Sequence, residues 1–148
     1  MLTHLFTSFV ATACFGVLFN VPKRSILKCG FVGMTGWMVY YFLVNNYQFD
    51  AVVASLIASS LISFISLFFA KMYKTPVIIF SISGIIPLVP GGSAYDAMRH
   101  FVENDYNTAI QLAAKAFMIS GAIAAGLVIS EVLYQIFYRF KLGNYRNE

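Results

Sequence analysis

The stretch from Phe49 to Ala70, FDAVVASLIASSLISFISLFFA, decides the fold class. After Asp50 it carries no charged side chain until Lys71. About 20 mostly apolar residues are enough for a helix to cross the hydrocarbon core of a bilayer. The stretch therefore predicts a transmembrane helix.

Four other apolar runs flank this one, separated by short polar turns. The first has no basic segment before it and no small-residue cleavage site before Pro22, so we interpret it as a retained span and not as a secretory signal. The sequence predicts an all-α integral membrane protein that forms one transmembrane domain over residues 1–148. Its five predicted spans cover about 2–19, 29–44, 49–70, 76–90 and 108–140, and the fourth is short and broken.

The composition of the whole chain supports the membrane class. Apolar residues make up 59% of the 148 residues and charged residues 11%, and the mean hydropathy is +0.76. An ordinary soluble domain has about 45–50% apolar and about 25% charged residues. The basic residues are scattered between the apolar runs, whereas nucleic-acid binding requires Lys and Arg clustered on a solvated face. The composition thus excludes a soluble nucleic-acid-binding domain.

The basic residues also predict an orientation. Eight of the ten lie in the Pro22–Lys28 turn, in the Lys71–Lys74 turn and in the C-terminal tail with Arg139, Lys141 and Arg146. Only Arg99 and Lys115 fall on the opposite side. Because Lys and Arg accumulate in cytoplasmic loops, we expect the N-terminus outside and the C-terminus inside.

Small residues recur at helical spacing in three predicted spans, which is typical of helices that pack closely in a membrane. They give these spans more packing faces than a five-helix monomer uses, and they indicate oligomerisation. The residues concerned are Gly30, Gly33, Gly36, Ala54, Ala58, Ser55, Ser59, Ser63, Gly121, Ala122, Ala125 and Gly126.

No motif of an enzyme or of a nucleotide-binding protein occurs in the sequence. It contains no HExxH, no GxSxG and no Walker A motif ending in GK[ST], so we expect neither catalysis nor a bound cofactor. Cys14 and Cys29 lie in apolar runs, where a cysteine acts as a small hydrophobic residue, so we expect no disulfide and no metal cluster. Asp96, His100 and Glu103 share one helical face that is able to hold a metal, but an Arg99–Glu103 ion pair on a solvated face is the expected arrangement.

The segment Ile85–Met98, IIPLVPGGSAYDAM, is the most informative for function. Its two prolines remove backbone donors and clash with the preceding turn, so the fourth helix must kink or end here. The two glycines allow backbone conformations that are closed to other residues. Ser93 followed by Asp96 has the spacing of a capping box, which predicts that a short helix starts at Ser93.

A helix that starts at such a break directs free N–H groups at it, and helix N-termini favour anions. Broken helices of this kind hold substrate carboxylates in transporters. The alternative is a helix that ends at the outer surface and continues into an ordinary loop. The candidate substrate-binding residues are Pro87, Pro90, Gly91, Gly92, Ser93, Asp96 and Arg99.

Glu131 is an ionisable residue within the last apolar run. Such residues are costly at depth and usually face a cavity or a partner. Ser120, Ala124 and Leu127 before it and Gln135 after it lie at helical spacing and form a semi-polar stripe with Glu131. Either the stripe lines a transport path, with Glu131 and Asp96 as candidates for ion coupling, or Glu131 is a structural carboxylate paired near the inner interface.

Four sequence segments resemble the small YjjB-type membrane proteins of the threonine/serine exporter (ThrE) family. They are FNVPKR at 19–24, CG at 29–30, IPLVPG at 86–91 and SAY at 93–95. The resemblance runs from about Phe15 to Leu133. It implies export of threonine and serine, as in the fused members, or of succinate, as in two-chain members of enterobacteria.

The resemblance also implies a partner. In fused members a YjjP-like half precedes a YjjB-like half, and this chain is similar only to the second. We therefore expect a subunit of a secondary exporter in the bacterial cytoplasmic membrane, acting with a YjjP-like membrane subunit and without nucleic acid. The alternative is a non-transporting structural or regulatory subunit that stabilises a partner transporter.

Overall fold

The computed structural model describes the backbone of residues 2–144 and the side chains of residues 2–136. This part of the chain is helical and contains no strand. The side chains of Arg139 and Lys141, and all of Arg146, which the orientation prediction uses, lie outside the described residues. The helices are α1 (Leu2–Leu18), α2 (Lys23–Tyr47), α3 (Ala51–Tyr73), α4 (Val77–Ile85), a 3-10 helix (Ile86–Leu88), α5 (Gly91–Val102) and α6 (Tyr106–Asn144).

Four turns between helices use a residue other than glycine in the left-handed region, with φ between 51° and 66°. Gln48 and Lys74 adopt this conformation directly after α2 and α3, and their backbone N–H groups donate to carbonyls of the preceding helix. Left-handed residues satisfy the last carbonyls of a helix and reverse the chain. Asp50 then caps α3, since its carboxylate accepts from the N–H of Val52 at 3.3 Å. The other two left-handed residues are Asn20 and Asn104.

Helix α2 lies in the middle of the bundle and contacts α1, α3 and α4 through glycines. A methyl group built on Gly33 would collide with Thr12 of α1, and one built on Gly36 would collide with Ile62 of α3. A methyl group built on Gly84 of α4 would lie 2.8 Å from Val32 of α2 and 2.8 Å from Ile62. The predicted small-residue faces of the second span therefore serve helix packing inside this chain.

Helices α3 and α6 pack against each other through serines and one glycine. The Oγ of Ser130 donates to the carbonyl oxygen of Ser60 at 3.0 Å, and the Oγ of Ser63 approaches the carbonyl oxygen of Leu127 at 3.4 Å. A methyl group on Gly126 would lie 2.7 Å from the carbonyl oxygen of Leu56. The buried core beside this contact combines residues of α2, α3, α6 and the 3-10 helix: Val32, Ala58, Ile62, Leu88, Ile119 and Ile123.

Three helices are long and apolar enough to cross a membrane: α2, α3 and the Tyr106–Ile136 part of α6. A fourth span results if α4, the 3-10 helix and α5 count as one broken helix, which bends by 49° between Val77–Leu88 and Gly91–Val102. Helix α1 has 17 residues and covers about 25 Å at 1.5 Å per residue, less than the usual 30 Å of hydrocarbon. The fifth span and the orientation therefore stay predictions, whereas the membrane-helix class is confirmed.

The boundaries of the second helix differ from the sequence prediction. It begins at Lys23, six residues before the predicted start at Cys29, so the basic turn is the first part of the helix. The Nζ of Lys28 lies 3.0 Å from the centroid of the Tyr73 ring at the end of α3. This cation–π contact ties the start of α2 to the end of α3.

Candidate functional site

The helix break lies where the chain passes from a 3-10 turn with one buried residue to the exposed residues Val89, Gly91 and Gly92. Helix α4 ends at Ile85, one 3-10 turn follows, and Leu88 within that turn belongs to the same buried core cluster as Ala58 and Ile119. After the extended residue Val89, α5 continues for twelve residues. The structure therefore favours the broken-helix interpretation of this segment over a helix that simply ends at the outer surface.

The start of α5 differs from the predicted capping box. Helix α5 begins at Gly91 with Pro90 as its N-cap residue, and no side chain caps it. The carbonyl of Pro90 accepts from the N–H of Ala94 at 3.1 Å, so the first helical hydrogen bond forms before Ser93. The prediction that Ser93 and Asp96 start the helix is wrong, because proline fixes the backbone at a position where a helix readily begins.

The two glycines of the break also act differently from the prediction. No glycine in the described residues has a positive φ, so Gly91 and Gly92 are ordinary helical residues. A methyl group on either would meet nothing within 4 Å. Because they have no side chain, the space around the N-terminus of α5 stays open. The N–H groups of Gly92 and Ser93 at this terminus donate to no backbone carbonyl of the described residues.

A cavity of about 430 Å³ lies between α5 and α6 beside this terminus. Its walls are apolar apart from the hydroxyl of Ser120, which donates to the carbonyl of Ala116 at 2.9 Å. Volumes of about 300–1,000 Å³ with a few polar groups are typical of small-molecule sites. The lining residues are Val89, Pro90, Gly91, Ala94, Ala97, Met98, Ala113, Ala116, Phe117 and Ser120.

A second, smaller cavity of about 200 Å³ lies on the α1 side of the break, where Pro87 forms part of its wall. Sequence reasoning missed its other residues. The signal was present, since His4, Thr7, Ser8 and Ala11 recur at intervals of three or four residues along α1 and share one face. The ring of His4 lies 4.7 Å from that of Tyr41, and the Ser8 hydroxyl donates to the His4 carbonyl. The lining residues are His4, Thr7, Ser8, Ala11, Trp37 and Pro87.

Only some of the predicted substrate-binding residues line a cavity. Pro90 and Gly91 line the larger cavity and Pro87 the smaller one. Asp96 is exposed on α5, and neither it nor Arg99 lines a cavity. Along a helix, Arg99 lies about 12 Å from Gly91.

The charged residues near the end of α5 form surface contacts. Nε of Arg99 lies 3.0 Å from Oε1 of Glu103, which is the expected ion pair. Nδ1 of His100 lies 3.9 Å from Glu103 and 3.5 Å from Asp105. Within the part of the chain that the structure describes, no three His, Cys, Asp or Glu side chains converge as metal ligands.

Asp105 caps the start of α6. Its carboxylate accepts from the N–H of Thr108 at 3.3 Å. Hydrogen bonds from the side chain and the backbone of Thr108 lower the pKa of the Asp105 carboxyl, and the nearby His100 adds a smaller effect in the same direction. The ionised carboxylate is thus part of the turn that holds α5 beside α6.

Glu131 lies about halfway along the bundle. It follows Ser130, whose hydroxyl contacts Ser60, and Ser60 lies near the middle of the 23 residues of α3. The side chain of Glu131 is exposed on the outer surface of α6. Both interpretations of Glu131, as part of a transport path and as a structural carboxylate, stay predictions.

Comparison with known proteins identifies the family. The sequence model described as "Threonine/Serine exporter, ThrE" matches residues 4–133. An uncharacterized protein of Haemophilus influenzae is 29% identical over 135 residues, which cover 86% of this chain and 44% of that protein. The chain therefore spans less than half the length of this relative, and no solved structure matches it. The family match covers most of the chain, including the helix break, and this multi-pass membrane protein belongs to the threonine/serine exporter (ThrE) family.

Proposed function

We propose that this chain is the YjjB-type subunit of a secondary exporter in the bacterial cytoplasmic membrane, and that it acts with a YjjP-like membrane subunit. The substrates are small carboxylate metabolites. One observation carries the proposal: a helix breaks at Val89–Pro90, and the helix that follows presents two free N–H groups beside a cavity of about 430 Å³. Family membership supports a membrane subunit of a threonine/serine exporter, and the absence of a Walker A motif from the sequence supports transport without ATP binding.

The substrate carboxylate binds at the start of α5. The N–H groups of Gly92 and Ser93 donate to it, and the positive end of the helix dipole stabilises its charge. Gly91 has no side chain, so the carboxylate is able to approach the backbone closely. The apolar wall formed by Met98 and Phe117 receives a short side chain such as that of threonine.

Family membership favours threonine and serine as substrates over succinate. No lysine, arginine or histidine lines the cavity beside α5, so a second carboxylate finds no counter-charge there. A dicarboxylate requires Arg99, which lies further along α5 and is paired with Glu103. Arg99→Ala therefore distinguishes the two substrate classes: succinate efflux falls if the substrate extends to Arg99, and threonine efflux is unchanged.

The Gly91→Leu variant tests the site. A leucine side chain at this position enters the cavity and blocks the approach to the N–H groups of α5, so efflux of labelled threonine from cells that also express the partner should fall at least tenfold. Tyr95→Leu is the matched control, because it also places a leucine in α5 but at an exposed position outside both cavities. Equal efflux by the two variants, at equal abundance in the membrane, would remove the break from the substrate site.

Asp96 and Glu131 are our candidates for ion coupling, since they are the acidic residues of α5 and of the described part of α6. If either carries the coupling proton, its amide variant should change the pH dependence of efflux and not only its rate. Unchanged pH dependence in both Asp96→Asn and Glu131→Gln would exclude them.

The alternative, a structural subunit, also has a specific observation in its favour. No aspartate or glutamate of the described residues lines either cavity, so the chain by itself offers no carboxylate to pair with a substrate ammonium group. If the chain were only structural, replacement of its break residues would leave the ratio of threonine to serine efflux unchanged. A changed ratio in Gly91→Leu or Ser120→Ala would exclude this alternative.

A further inference from the structure

We infer that one face of α6, centred on Glu131, is the docking surface for a helix of a different membrane polypeptide, which places a Lys or Arg opposite the Glu131 carboxylate. This inference rests on the proposed two-subunit exporter and names the surface that joins its subunits. We call this surface the Glu131 face. Its residues are Phe117, Ser120, Ala124, Val128, Glu131 and Gln135.

The Glu131 face is one continuous strip on the outside of the chain. Its residues follow each other at intervals of three or four, which places them on one side of a helix. All six side chains are exposed, with 81% of Phe117 and 59% of Val128 accessible. The opposite side of α6 is buried against α3 through Gly126 and Ser130. The packing inside this chain therefore leaves the Glu131 face uncovered.

The position of Glu131 along the bundle indicates that the Glu131 face lies at the depth of the membrane-spanning part of α3. The contact between Ser130 and Ser60 places Glu131 level with the middle of α3, which is itself a candidate span. Val128, one turn before Glu131, and Val132, the residue after it, are also exposed. A carboxylate surrounded by such side chains at this depth faces hydrocarbon unless another polypeptide covers it.

Among the residues that the structure describes, none satisfies the carboxylate of Glu131. Glu131 has no hydrogen bond and no ion pair with any residue that the structure describes. Ionisable groups within a membrane almost always pair with one another or face a water-filled cavity. The polypeptide that covers the Glu131 face must therefore supply a group that pairs with the carboxylate. A Lys or Arg side chain is suitable, because it forms a charge-assisted hydrogen bond with a carboxylate.

A second copy of this chain does not fit as the occupant. Two copies inserted with the same orientation are related by a two-fold axis along the membrane normal, and such an interface is self-complementary. It would bring Glu131 of one copy opposite Glu131 of the other. Two like charges in a low-dielectric environment repel strongly, so the face favours a polypeptide of different sequence.

The relative from Haemophilus influenzae is long enough to contain such an additional segment. In the Haemophilus influenzae protein, the region similar to this chain is 44% of the whole, so more than half of that protein lies outside the match. That additional region is available to pack beside the family module. In the proposed two-subunit exporter, the YjjP-like membrane subunit takes the corresponding position.

The docked helix also completes the cavity beside α5. Phe117 and Ser120 belong both to the Glu131 face and to the lining of that cavity. Ser120 and Glu131 are eleven residues apart, or about 16 Å along the helix, which a single transmembrane helix easily covers. A helix that pairs with Glu131 and continues along α6 therefore covers the outer side of the cavity and contributes residues to it.

Photo-cross-linking in membranes that contain both subunits tests the docking surface. A benzophenone amino acid replaces Ala124 on the Glu131 face, and Phe64, an exposed residue of α3, is the control position. We expect at least ten times more adduct from position 124, formed with a membrane-spanning segment of the YjjP-like subunit that carries a Lys or Arg. Adducts of the chain with itself, adducts with lipid only, or equal yields at both positions would overturn the inference.

Charge exchange tests the ion pair. In the chain labelled at position 124, Glu131→Lys should lower the adduct at least tenfold and Glu131→Gln should lower it less. Glu103→Lys makes the same charge change on the exposed end of α5 and should leave the adduct unchanged. Exchange of the mapped Lys or Arg of the partner for Glu should restore the adduct of Glu131→Lys. No restoration, although both chains are present at normal abundance, would exclude the pair.

The readout separates this inference from the proposed function, because cross-linking requires no transport. If the adduct forms and the charge exchange restores it, but the two subunits export none of threonine, serine and succinate, the docking surface stands and the proposed function fails. If the subunits export threonine and position 124 yields no partner adduct, the docking surface fails and the proposed function stands.

Discussion

The hydroxyl of Ser130 donates to the carbonyl oxygen of Ser60 at 3.0 Å and fixes the register between α6 and α3. From this register follow the depth of Glu131 and the contact of Gly126 with the backbone of α3. Neither relationship is visible from hydropathy, because each requires knowledge of which residues of two distant helices lie opposite each other.

Ser130→Ala should destabilise the purified chain slightly. Hydrogen bonds between helices in membranes contribute about 0.6 kcal/mol on average and at most about 1.7 kcal/mol, so the loss should fall in this range. Thermal unfolding in detergent measures it. Ser120→Ala is the control, because the Ser120 hydroxyl bonds only within its own helix. Equal losses in both variants would contradict the register assigned to Ser130.

Gly126→Ala should destabilise the chain more strongly than Gly121→Ala. The added methyl group at 126 lies 2.7 Å from the Leu56 carbonyl and must separate α6 from α3, whereas at 121 it meets nothing within 4 Å. Overpacking of this kind costs about 1–3 kcal/mol. Without a clash, Gly→Ala in a helix stabilises by up to about 1 kcal/mol. Unfolding of the two purified variants in the same detergent gives the comparison, and similar stabilities would contradict the packing.

Acid should weaken the turn between α5 and α6. The pKa of the Asp105 carboxyl is lowered in the folded chain, chiefly by hydrogen bonds from Thr108. The ionised group therefore stabilises the turn at pH values above its ordinary pKa, and this contribution is lost as the pH falls through the lowered value. Limited proteolysis at Asn104–Asn107 between pH 7 and pH 3 should show increasing cleavage, measured with a protease that is active at acid pH.

Asp105→Asn is the variant that checks this pH effect, since the amide does not titrate. Cleavage of the variant at neutral pH should resemble that of the unmodified chain at low pH and should change little with pH. A pH dependence that persists in Asp105→Asn would assign the effect to another group.

The predicted topology places Lys23 and Asn46 on opposite sides of the membrane, with the N-terminus outside. Single cysteines at the two positions, in a chain with Cys14 and Cys29 replaced by serine, should react with a membrane-impermeant maleimide from opposite sides. Labelling of both from one side would disprove the topology. A tag at residue 2 that reacts from outside supports α1 as the fifth span.

The chain should not transport by itself. Among the described residues it provides no acidic side chain to either cavity, and the Glu131 face is uncovered without a partner. Vesicles that contain only the purified chain should release labelled threonine at the rate of empty vesicles, and vesicles with both subunits should release it faster. Rapid release from vesicles with the chain alone would show that the prediction is wrong.

The sequence by itself determined the membrane class, the helices and the position of the break. Long apolar runs and prolines act locally: a run such as Ala51–Ala70 needs a bilayer wherever it packs, and Pro87 and Pro90 interrupt a helix in any surroundings. The Arg99–Glu103 pair was equally predictable, because residues four apart in a helix are neighbours.

Only the tertiary structure decided how these elements combine. It moved the start of α5 from Ser93 to Gly91, since Pro90 and its carbonyl outweigh a serine cap. It showed that one cavity lies between the break and α6 and that a second lies between the break and α1. Sequence reasoning had not selected the polar residues of α1 that line the second cavity. It also placed Glu131 at mid-depth on an open surface. Contacts between distant helices depend on register and on rotation about the helix axis, and a one-dimensional pattern of apolar residues specifies neither.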